Sequence, residues 1–419
     1  MDLATVMLDL GRRAKAAARE LARLSAERKN AGLLAMADAL AAHREPILAA
    51  NALDVNAAQA AGLSGAMIDR LRLDEKRLKA MADGVRAVAA LDDPVAETIR
   101  AWTRPNGLAI NKVRVPIGVV GIIYESRPNV TSDAAVLCTK TGNAAILRGG
   151  SESLRSNLAI AEALRDGATQ AGLPADSVLL VPHADREAVR LLAEMDRYVD
   201  MIVPRGGQSL IETVVRHARM PVIKHYHGVC ILYVDRAADP EMAERILLNA
   251  KCQRPGVCNA VETLLVHRDI ADDFLPRAAA ALWDASVELH GDETARRLLG
   301  DRVVTATEED WTTEYLDLKL AVRVVDSLDE AVSHIETHGS HHSDAIVTAD
   351  ETRAERFLNE VDSATVYWNA STRFTDGGEF GFGAEIGIST DKLHARGPMA
   401  LEELTTYKYV IRGTGQVRA

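Results

Sequence analysis

The sequence predicts an α/β protein with two domains, each built on a parallel sheet that helices cover on both faces. Short apolar, β-branched runs alternate with helical stretches from about residue 108 onward, the pattern typical of parallel sheets. A length of 419 residues suits two or three domains. Hydrophobic residues make up 47% of the chain and charged residues 26%, which indicates a folded globular protein rather than a disordered one.

Residues 1 to about 92 are expected to form helices that pack as a layer against the rest of the chain. Apolar residues recur there at alternating steps of four and three, as on one face of a helix: Leu10, Ala14, Ala17, Leu21 and Leu24. Further helices are predicted over residues 33–43 and 75–89. No pattern in this region indicates chemistry.

Two groups of short apolar runs predict the two sheets. The first group comprises residues 113–124, 144–148, 178–181, 201–203 and 222–224, with helices over 154–168 and 185–195. The second comprises residues 230–234, 263–267, 320–325, 345–348 and 365–368, with helices over 240–249 and 329–337. Open sheets of this kind bind ligands at the carboxyl ends of their strands.

Two further segments predict strands outside these sheets. Asn106-Gly107 stands between β-prone runs, which is a hairpin signal. Residues 405–411 predict a terminal strand with amphipathic alternation. Such a strand needs a partner edge, which a second subunit could supply.

Charge and cysteine content exclude several classes of protein. The net charge of −11 argues against nucleic acid or an anionic membrane as a partner. Four cysteines without a CxxC pair give little support for a zinc or dithiol motif. No signal peptide is visible, and the longest apolar stretch, residues 115–124, is too short to span a bilayer. We therefore expect a cytoplasmic protein.

Cys258 is the strongest candidate for a reactive group. It follows a Pro-Gly turn and precedes a predicted strand, so the turn would expose the sulfur. Arg254 or backbone donors nearby could lower the pKa of the thiol. Judged locally, a buried cysteine acting as a small hydrophobe is an equally good interpretation.

Two glycine-rich turns each connect a predicted strand to a predicted helix. Their residues are Arg148, Gly149, Gly150 and Ser151 in the first turn, and Arg205, Gly206 and Gly207 in the second. Backbone N–H groups at a helix N-terminus suit a phosphate, and the arginines add positive charge. Neither turn is a GxGxxG motif, and each alone is also compatible with a structural connection.

A third turn after a strand offers polar groups. Ser126 or Asn129 could donate to a developing oxyanion, and Arg127 could hold an anion. Asn129 could equally be a helix N-cap. The segment that includes Lys224, His225 and His227 suits contact with phosphate or substrate better than a metal, because no third ligand is visible.

Two other segments are predicted to lie outside the active site. The histidines at positions 338, 341 and 342 suggest a solvated loop. Residues 374–389 contain five glycines and two Phe that alternate with them, which indicates a structured loop.

The chain resembles the reductases of L-glutamyl 5-phosphate, a family of the aldehyde dehydrogenase superfamily. The resemblance covers most of the chain from about residue 104 onward. It rests on residues 115–131, which end in Tyr-Glu-Ser-Arg-Pro-Asn-Val-Thr, on 140–151, on 252–262 with Gln-Arg-Pro-Gly-Val-Cys, on 376–398 and on 404–412. These motifs are far more specific than a lone glycine pattern.

The resemblance implies a reaction, a cofactor and a division of the chain. Cys258 is then the nucleophile that forms a thioester with L-glutamyl 5-phosphate, and NADPH reduces that thioester to L-glutamate 5-semialdehyde in proline biosynthesis. It implies an NADP-binding domain of residues 1–97 and 116–228, a catalytic domain of residues 229–370, an oligomerisation arm of residues 98–115 and 400–419, and a glycine-rich return segment of residues 371–399. The homo-oligomer would be a dimer or tetramer, and a glutamate 5-kinase is a further expected partner.

Two departures from the superfamily pattern bear on the chemistry. Aldehyde-oxidising relatives carry a Glu that activates water, whereas the matching stretch here, Lys224-His-Tyr-His-Gly228, has no carboxylate. The thioester should therefore survive to exchange with phosphate, and Lys224 and His225 could hold that phosphate. In the first glycine-rich turn, Arg148 and Ser151 suit the 2′-phosphate of NADPH, whereas Glu152 leaves NADH as an alternative cofactor.

The sequence leaves two alternatives to this reductase. One is an aldehyde dehydrogenase that passes its thioester to coenzyme A. The other is a catalytically silent cofactor-binding scaffold, against which the intact Gln253–Cys258 segment argues.

Overall fold

The computed structural model describes residues 2–418, which divide into two compact units. Unit 1 contains the chain up to Lys224 together with Gly381–Gly387 and the residues from Met399 onward. Unit 2 contains His225–Phe380 and Ile388–Pro398. The division into domains that the resemblance implies, with a boundary after residue 228, stays a prediction.

The helices and strands are numbered in chain order. The helices are α1 (Leu3–Leu21), α2 (Ala26–Ala42), α3 (Arg44–Ala60), α4 (Gly65–Leu71), α5 (Glu75–Ala90), α6 (Asn129–Lys140), α7 (Leu154–Gln170), α8 (Glu187–Ala193), α9 (Gln208–His217), α10 (Pro240–Cys252), α11 (Arg268–Asp284), α12 (Glu293–Leu299), α13 (Leu328–His338) and α14 (Glu351–Glu360). The strands are β1 (Thr98–Thr103), β2 (Ala109–Pro116), β3 (Val119–Tyr124), β4 (Ala144–Arg148), β5 (Val178–Leu180), β6 (Met201–Arg205), β7 (Cys230–Val234), β8 (Val261–His267), β9 (Glu288–Gly291), β10 (Val304–Thr305), β11 (Lys319–Val325), β12 (Ser343–Val347), β13 (Thr365–Trp368), β14 (Gly387–Ser389), β15 (Gly397–Met399) and β16 (Thr405–Arg412). Within residues 2–418, no helix is long and apolar enough to cross a membrane.

Unit 1 is built on a parallel sheet with the strand order β5-β4-β3-β6. Every residue of β3 and β4 is buried, as expected for strands covered on both faces. The first helices pack against this sheet and its helices, which confirms the predicted helical layer: α1 contacts β4, and α2 contacts α5 and α7. Gly167 allows the close approach of α7 to α2, because a Cβ there would lie 2.5 Å from the carbonyl oxygen of Ala35.

Unit 2 is built on a second parallel sheet with the order β10-β9-β11-β8-β7-β12-β13. The five strands predicted for this domain are all present. The short strands β9 and β10 lacked a clear apolar run and were not predicted. Both predicted helices are also present, as α10 and α13.

The predicted hairpin and terminal strand form a separate antiparallel sheet with the order β1-β2-β16. The hairpin turns at Gly107, which has a φ of 87°. β2 of the same chain pairs with one edge of β16, from Thr405↔Pro116 to Arg412↔Ala109, and pairing of the other edge with a second subunit stays a prediction. The hairpin leaves one edge of β2 open, and that edge is long enough to take the whole terminal strand.

Two strand predictions in unit 1 are corrected by the structure. The run at residues 113–124 is two strands, β2 and β3, because Gly118 at a φ of 131° breaks it. Residues 222–224 do not form a strand, and only a single bridge joins Val222 to Ile202.

His334 on α13 is a buried histidine held in its neutral form. It is 3% exposed and lies edge-on to Trp311, and the Arg323 guanidinium donates to its Nδ1 at 3.0 Å. Desolvation, with smaller contributions from His338 and Arg323, lowers the pKa of His334 to about 3. The unfolded chain should therefore take up a proton at this residue long before the folded protein does.

We predict that His334→Gln reduces the acid sensitivity of the protein. A depressed histidine pKa contributes stability that is present above pH 6.5 and is lost as the pH falls from 6.5 toward 3. The wild type should lose up to about 1.4 kcal/mol per pH unit below pH 6.5 from this group alone, and the variant should not. Thermal unfolding of both proteins between pH 8 and pH 5 measures the effect. Parallel stability curves would contradict it.

Candidate active site

The amino ends of three adjacent strands converge in unit 2. Strands β8, β7 and β12 are neighbours and run parallel, so the segments that precede them meet at one edge of the sheet. Cys258 precedes β8, residues 225–229 precede β7, and His342 precedes β12. The chain therefore brings a thiol and two imidazoles together from three separate segments.

The backbone around Cys258 is held on several sides. Its carbonyl oxygen accepts from the Cys230 thiol, with the sulfur at 3.2 Å, and the carbonyl of Asn259 accepts from Thr372 Oγ1 at 2.7 Å. The Asn259 side chain donates to the carbonyl of Thr375 at 2.8 Å. These contacts hold the backbone of the turn, and Cys258 is half-buried rather than fully buried.

A buried ion pair joins the two segments that flank the cysteine turn. Lys251, at the end of α10, and Glu262, in β8, are both fully buried, and their side chains are 2.5 Å apart. Burial lowers the pKa of Lys251 and raises that of Glu262 to about 7, and the attraction between the two opposes both shifts. Removing one partner of such a pair costs about 3 to 5 kcal/mol, so the pair strongly constrains the segment between them.

Two imidazoles lie beside the thiol. One ring nitrogen of His225, one of His342 and the sulfur of Cys258 all lie within 4.8 Å of one another. The rings of the two histidines meet edge to face with centroids 5.5 Å apart. His225 Nδ1 is 2.9 Å from the carbonyl oxygen of Ile388, which fixes the proton on Nδ1 and leaves the lone pair on Nε2.

The prediction of solvent exposure was wrong for His342. We expected a solvated loop at positions 338, 341 and 342, but His342 is fully buried at the start of β12. Its Nδ1 lies 2.9 Å from Ser343 Oγ, and within the described residues its Nε2 has no hydrogen-bond partner. Burial moves the pKa of His342 well below 6.5. The neighbouring apolar run at 345–347 was the available signal, since a residue just before a buried strand is itself buried.

Arginine and glutamate residues that the sequence did not single out also lie near this thiol. Arg373 donates to Gln253 Oε1 at 2.8 Å and contacts Asn259 Oδ1. Desolvation lowers the pKa of Arg373, and the negative charges of Asp376 and of a Cys258 thiolate oppose that shift. Glu314 accepts from the backbone N–H of Gly228, and burial raises its pKa. Arg254, which the sequence did select, is exposed in the same turn.

The carboxyl ends of β3, β4 and β6 meet in unit 1, which confirms the predicted strand–turn–helix arrangement of both glycine-rich turns. Two carboxylates accept hydrogen bonds from groups at these strand ends. Ser126 donates its backbone N–H and its hydroxyl to Glu152 Oε1 at 2.6 and 2.7 Å. The N–H of Gly207, the N-cap of α9, donates to Glu125 Oε2 at 2.9 Å.

Arg148 is the last residue of β4 and directly precedes the glycines of the first glycine-rich turn. It is 6% exposed, and it donates to the carbonyl oxygens of Ala184 and Asp185 at 3.0 and 3.2 Å. Its Nε has no hydrogen-bond partner within residues 2–418. A Cβ at Gly149 would lie 2.0 Å from Asn157 Nδ2, so this position accepts only glycine without a shift of that amide.

The remaining predicted residues are distributed over both units. Asn129 is the first residue of α6 and not its N-cap, and it donates to Asp133 Oδ2 at 2.9 Å. Desolvation raises the pKa of that Asp133 carboxyl to about 6. Arg127 and Arg205 lie in unit 1 near the strand ends, and Lys224 is the last residue of unit 1 before His225. Ser151 and Gly206 stand in the two turns at the positions that the sequence predicted.

Comparisons with known proteins identify the group to which this fold belongs. Residues 9–296 match the aldehyde dehydrogenase family. Gamma-glutamyl phosphate reductases from Moorella thermoacetica and Geotalea daltonii are 58% and 55% identical over 418 residues, with full coverage of both chains in each case. The crystal structure of the gamma-glutamyl phosphate reductase of Thermotoga maritima has a TM-score of 0.97 at 46% identity and covers 99% of this chain and 100% of its own. An acetylating aldehyde dehydrogenase from Geobacillus thermoglucosidasius shares the fold, with a TM-score of 0.70 at 17% identity over 100% of this chain and 98% of its own.

We predict that Gly228→Ala destabilises the protein through the backbone of Cys258. A Cβ at this position would lie 2.0 Å from the carbonyl oxygen of Cys258 and 2.7 Å from its Cα, so one of the two backbones must move. Overpacking of this kind costs about 1 to 3 kcal/mol. Thermal unfolding of the purified variant measures the loss.

The matched control is Gly256→Ala in the cysteine turn. Its Cβ would meet only the carbonyl oxygen of Leu316, at an ordinary 3.7 Å, so its stability should stay near that of the wild type. Equal stability of the two variants would show that the close approach at Gly228 is not the constraint that we describe.

Proposed function

We propose that this chain, which belongs to the gamma-glutamyl phosphate reductases of the aldehyde dehydrogenase family, reduces L-glutamyl 5-phosphate with NADPH through a thioester on Cys258. The products are L-glutamate 5-semialdehyde and inorganic phosphate, which places the reaction in proline biosynthesis. The observation that carries the proposal is the position of Cys258, half-buried in a rigid turn within 4.8 Å of two ring nitrogens. A thiol in this setting is a nucleophile with a neighbouring base.

His225 is the residue proposed to take the thiol proton. Its Nδ1–H is directed at the Ile388 carbonyl, so the basic Nε2 is the nitrogen that can accept a proton. The resulting Cys258 thiolate attacks the carbonyl carbon of the acyl phosphate. The carbon–oxygen bond to phosphate then breaks, and inorganic phosphate leaves as the thioester forms.

Reduction completes the reaction. NADPH, when bound, supplies the hydride that the thioester carbonyl needs. Hydride addition would leave a hemithioacetal oxyanion, which re-forms the carbonyl as the C–S bond breaks, and Cys258 leaves as the thiolate that His225 can return its proton to. The product is the free aldehyde.

An oxyanion develops at the substrate carbonyl in both steps. The backbone N–H of Cys258 is the first proposed donor. Of the two side chains that the sequence offered, Ser126 has committed its N–H and its hydroxyl to Glu152. Asn129 is therefore the better second donor, since its amide has two hydrogens and Asp133 accepts from that amide.

Basic residues are proposed to hold the phosphate group. Arg254 and Arg373 lie at the cysteine turn in unit 2, and Lys224, His225 and Arg127 are the other candidates that the sequence offers. In the stretch from Lys224 to Gly228 there is no carboxylate that could direct water at the thioester. Glu314 lies nearby but accepts from the Gly228 N–H, which supports a role in holding the loop. Phosphate is thus favoured over water as the partner of the thioester.

The cofactor is proposed to bind at the strand ends of unit 1. The residue types there fit NADPH: Arg148 is a cation whose Nε has no partner among residues 2–418, and Gly149, Gly150 and Ser151 form the turn above it. A guanidinium suits a 2′-phosphate. Arg205, Gly206 and Gly207 would complete the site at the N-terminus of α9, where Glu125 would have to release the Gly207 N–H to a phosphate.

Two partners are part of the proposal. The sheet β1-β2-β16 exposes Tyr407, Tyr409 and Ile411 to 49%, 54% and 57%, so we propose that this arm joins copies of the chain into a dimer or tetramer. A glutamate 5-kinase would supply the acyl phosphate. Because the proposed nucleophile is a thiol, which a reducing environment protects from oxidation, we propose that the reaction takes place in the cytoplasm.

We predict that the reverse reaction needs both phosphate and Cys258. L-glutamate 5-semialdehyde, NADP⁺ and phosphate should give NADPH with the wild type, because phosphate must cleave the thioester. Cys258→Ala should lower the rate at least a thousand-fold, whereas Cys252→Ala, the matched thiol control, should keep it. Absorbance of the reduced cofactor measures both. Turnover without phosphate would indicate a hydrolytic enzyme, and turnover that needs coenzyme A would indicate an acylating one.

The same assay separates the finer parts of the proposal. With NAD⁺ in place of NADP⁺ the rate should fall at least ten-fold, and equal rates would remove the role of Arg148 in selecting the 2′-phosphate.

Lys224→Ala should raise the KM for phosphate with little change in kcat. An unchanged KM would exclude Lys224 from the phosphate site.

A further inference from the structure

Three side chains at the cysteine turn are also close enough together to bind a metal ion. His225, Cys258 and His342 can each offer one ligand atom, and the three atoms lie within 4.8 Å of one another. Two imidazoles and a thiolate are the ligands that zinc prefers, and three protein ligands with one open position are a common zinc arrangement. Ligand atoms around a tetrahedral zinc ion lie about 3.3 to 3.6 Å apart, so small side-chain rotations would close the set.

Two features of the histidines orient them for this role. The Nδ1–H of His225 is directed at the Ile388 carbonyl at 2.9 Å, which is the outer hydrogen bond that metal-binding histidines usually make. The Nε2 of His342 is fully buried and has no hydrogen-bond partner within the described residues. A buried imidazole nitrogen without a partner is costly, and a bound ion would satisfy it.

We propose that His225, Cys258 and His342 form a zinc-binding site, and that zinc bound there blocks the enzyme. A coordinated thiolate holds its electron pair on the metal and is no longer available to attack a carbonyl carbon. No metal site is predicted from the sequence, because the spacing reveals only the pair His225 and His227. The fold supplies the third ligand from the segment before β12.

The metal would be a reversible inhibitor that competes with the acyl phosphate for the sulfur. Soft and borderline ions are selected by the thiolate, and Mg²⁺, which prefers oxygen ligands, is not. Binding itself rests only on the geometry in unit 2. The block on turnover rests on the proposed function, in which Cys258 is the nucleophile.

Calorimetric titration with ZnCl₂ of the full-length protein, first treated with EDTA and desalted, tests the binding. The wild type and Cys252→Ala should each bind one zinc ion per chain, and MgCl₂ should give no heat of binding. Cys258→Ala and His225→Gln should each weaken zinc binding at least ten-fold, and His342→Gln should do the same where thermal unfolding shows it folded. Unchanged affinity in Cys258→Ala and His225→Gln, or equal loss in Cys252→Ala, would overturn the site.

Cobalt provides a direct signature of the sulfur ligand. Co²⁺ added to the wild type should produce a thiolate-to-metal charge-transfer band in the near ultraviolet, and the band should be absent in Cys258→Ala. In the reverse assay, ZnCl₂ should inhibit the wild type and EDTA should restore it. Zinc binding without inhibition would contradict Cys258 as the nucleophile while leaving the site intact. Absence of zinc binding would remove the site and leave the proposed reaction untouched.

Discussion

Parallel pairing of β8, β7 and β12 is the constraint on which the chemistry of this protein depends. Because the three strands run in one direction and lie side by side, the residues before them share one edge of the sheet. Residues 225, 258 and 342 are far apart in the sequence and come together only for this reason. A shift of one residue in the pairing would move every side chain of a strand to the opposite face and separate the thiol from its imidazoles.

Contacts within unit 2 hold the backbone of that edge in place. The ion pair between Lys251 and Glu262 joins the two segments that flank the turn, and the side chain of Asn259 donates a hydrogen bond to the carbonyl of Thr375. Gly228 allows the segment before β7 to lie against the backbone of Cys258, where a larger residue would not fit. Partial burial strengthens the electrostatic interactions of the thiolate with Arg373 and with its neighbouring histidines. In the proposed reaction, a thiol held in place in this way needs little reorganisation.

Much of this could be predicted from the sequence. Alternation of apolar runs with helices predicted both parallel sheets, and a Pro-Gly turn before a strand made Cys258 a candidate, with a buried cysteine as an equally good local interpretation. The contribution of His342 could not be predicted locally, because its burial depends on which strand lies beside β12. For the same reason the pairing of β16 with β2 was not predicted, since pairing between distant segments leaves no local signal. Glu125 and Glu152 were missed as acceptors because glycine-rich turns predict where an anion can bind but not which carboxylate of the chain is near.

The acyl group on Cys258 is the central claim, and mass spectrometry of the acylated enzyme tests it most directly. Enzyme mixed with L-glutamate 5-semialdehyde and NADP⁺ in the absence of phosphate would be quenched with acid within milliseconds, digested and mapped. We expect a γ-glutamyl group on the peptide that contains Cys258, and its loss when phosphate is added before the quench. A γ-glutamyl group on another residue, or reduced cofactor formed with no acylated enzyme at any time, would contradict the account.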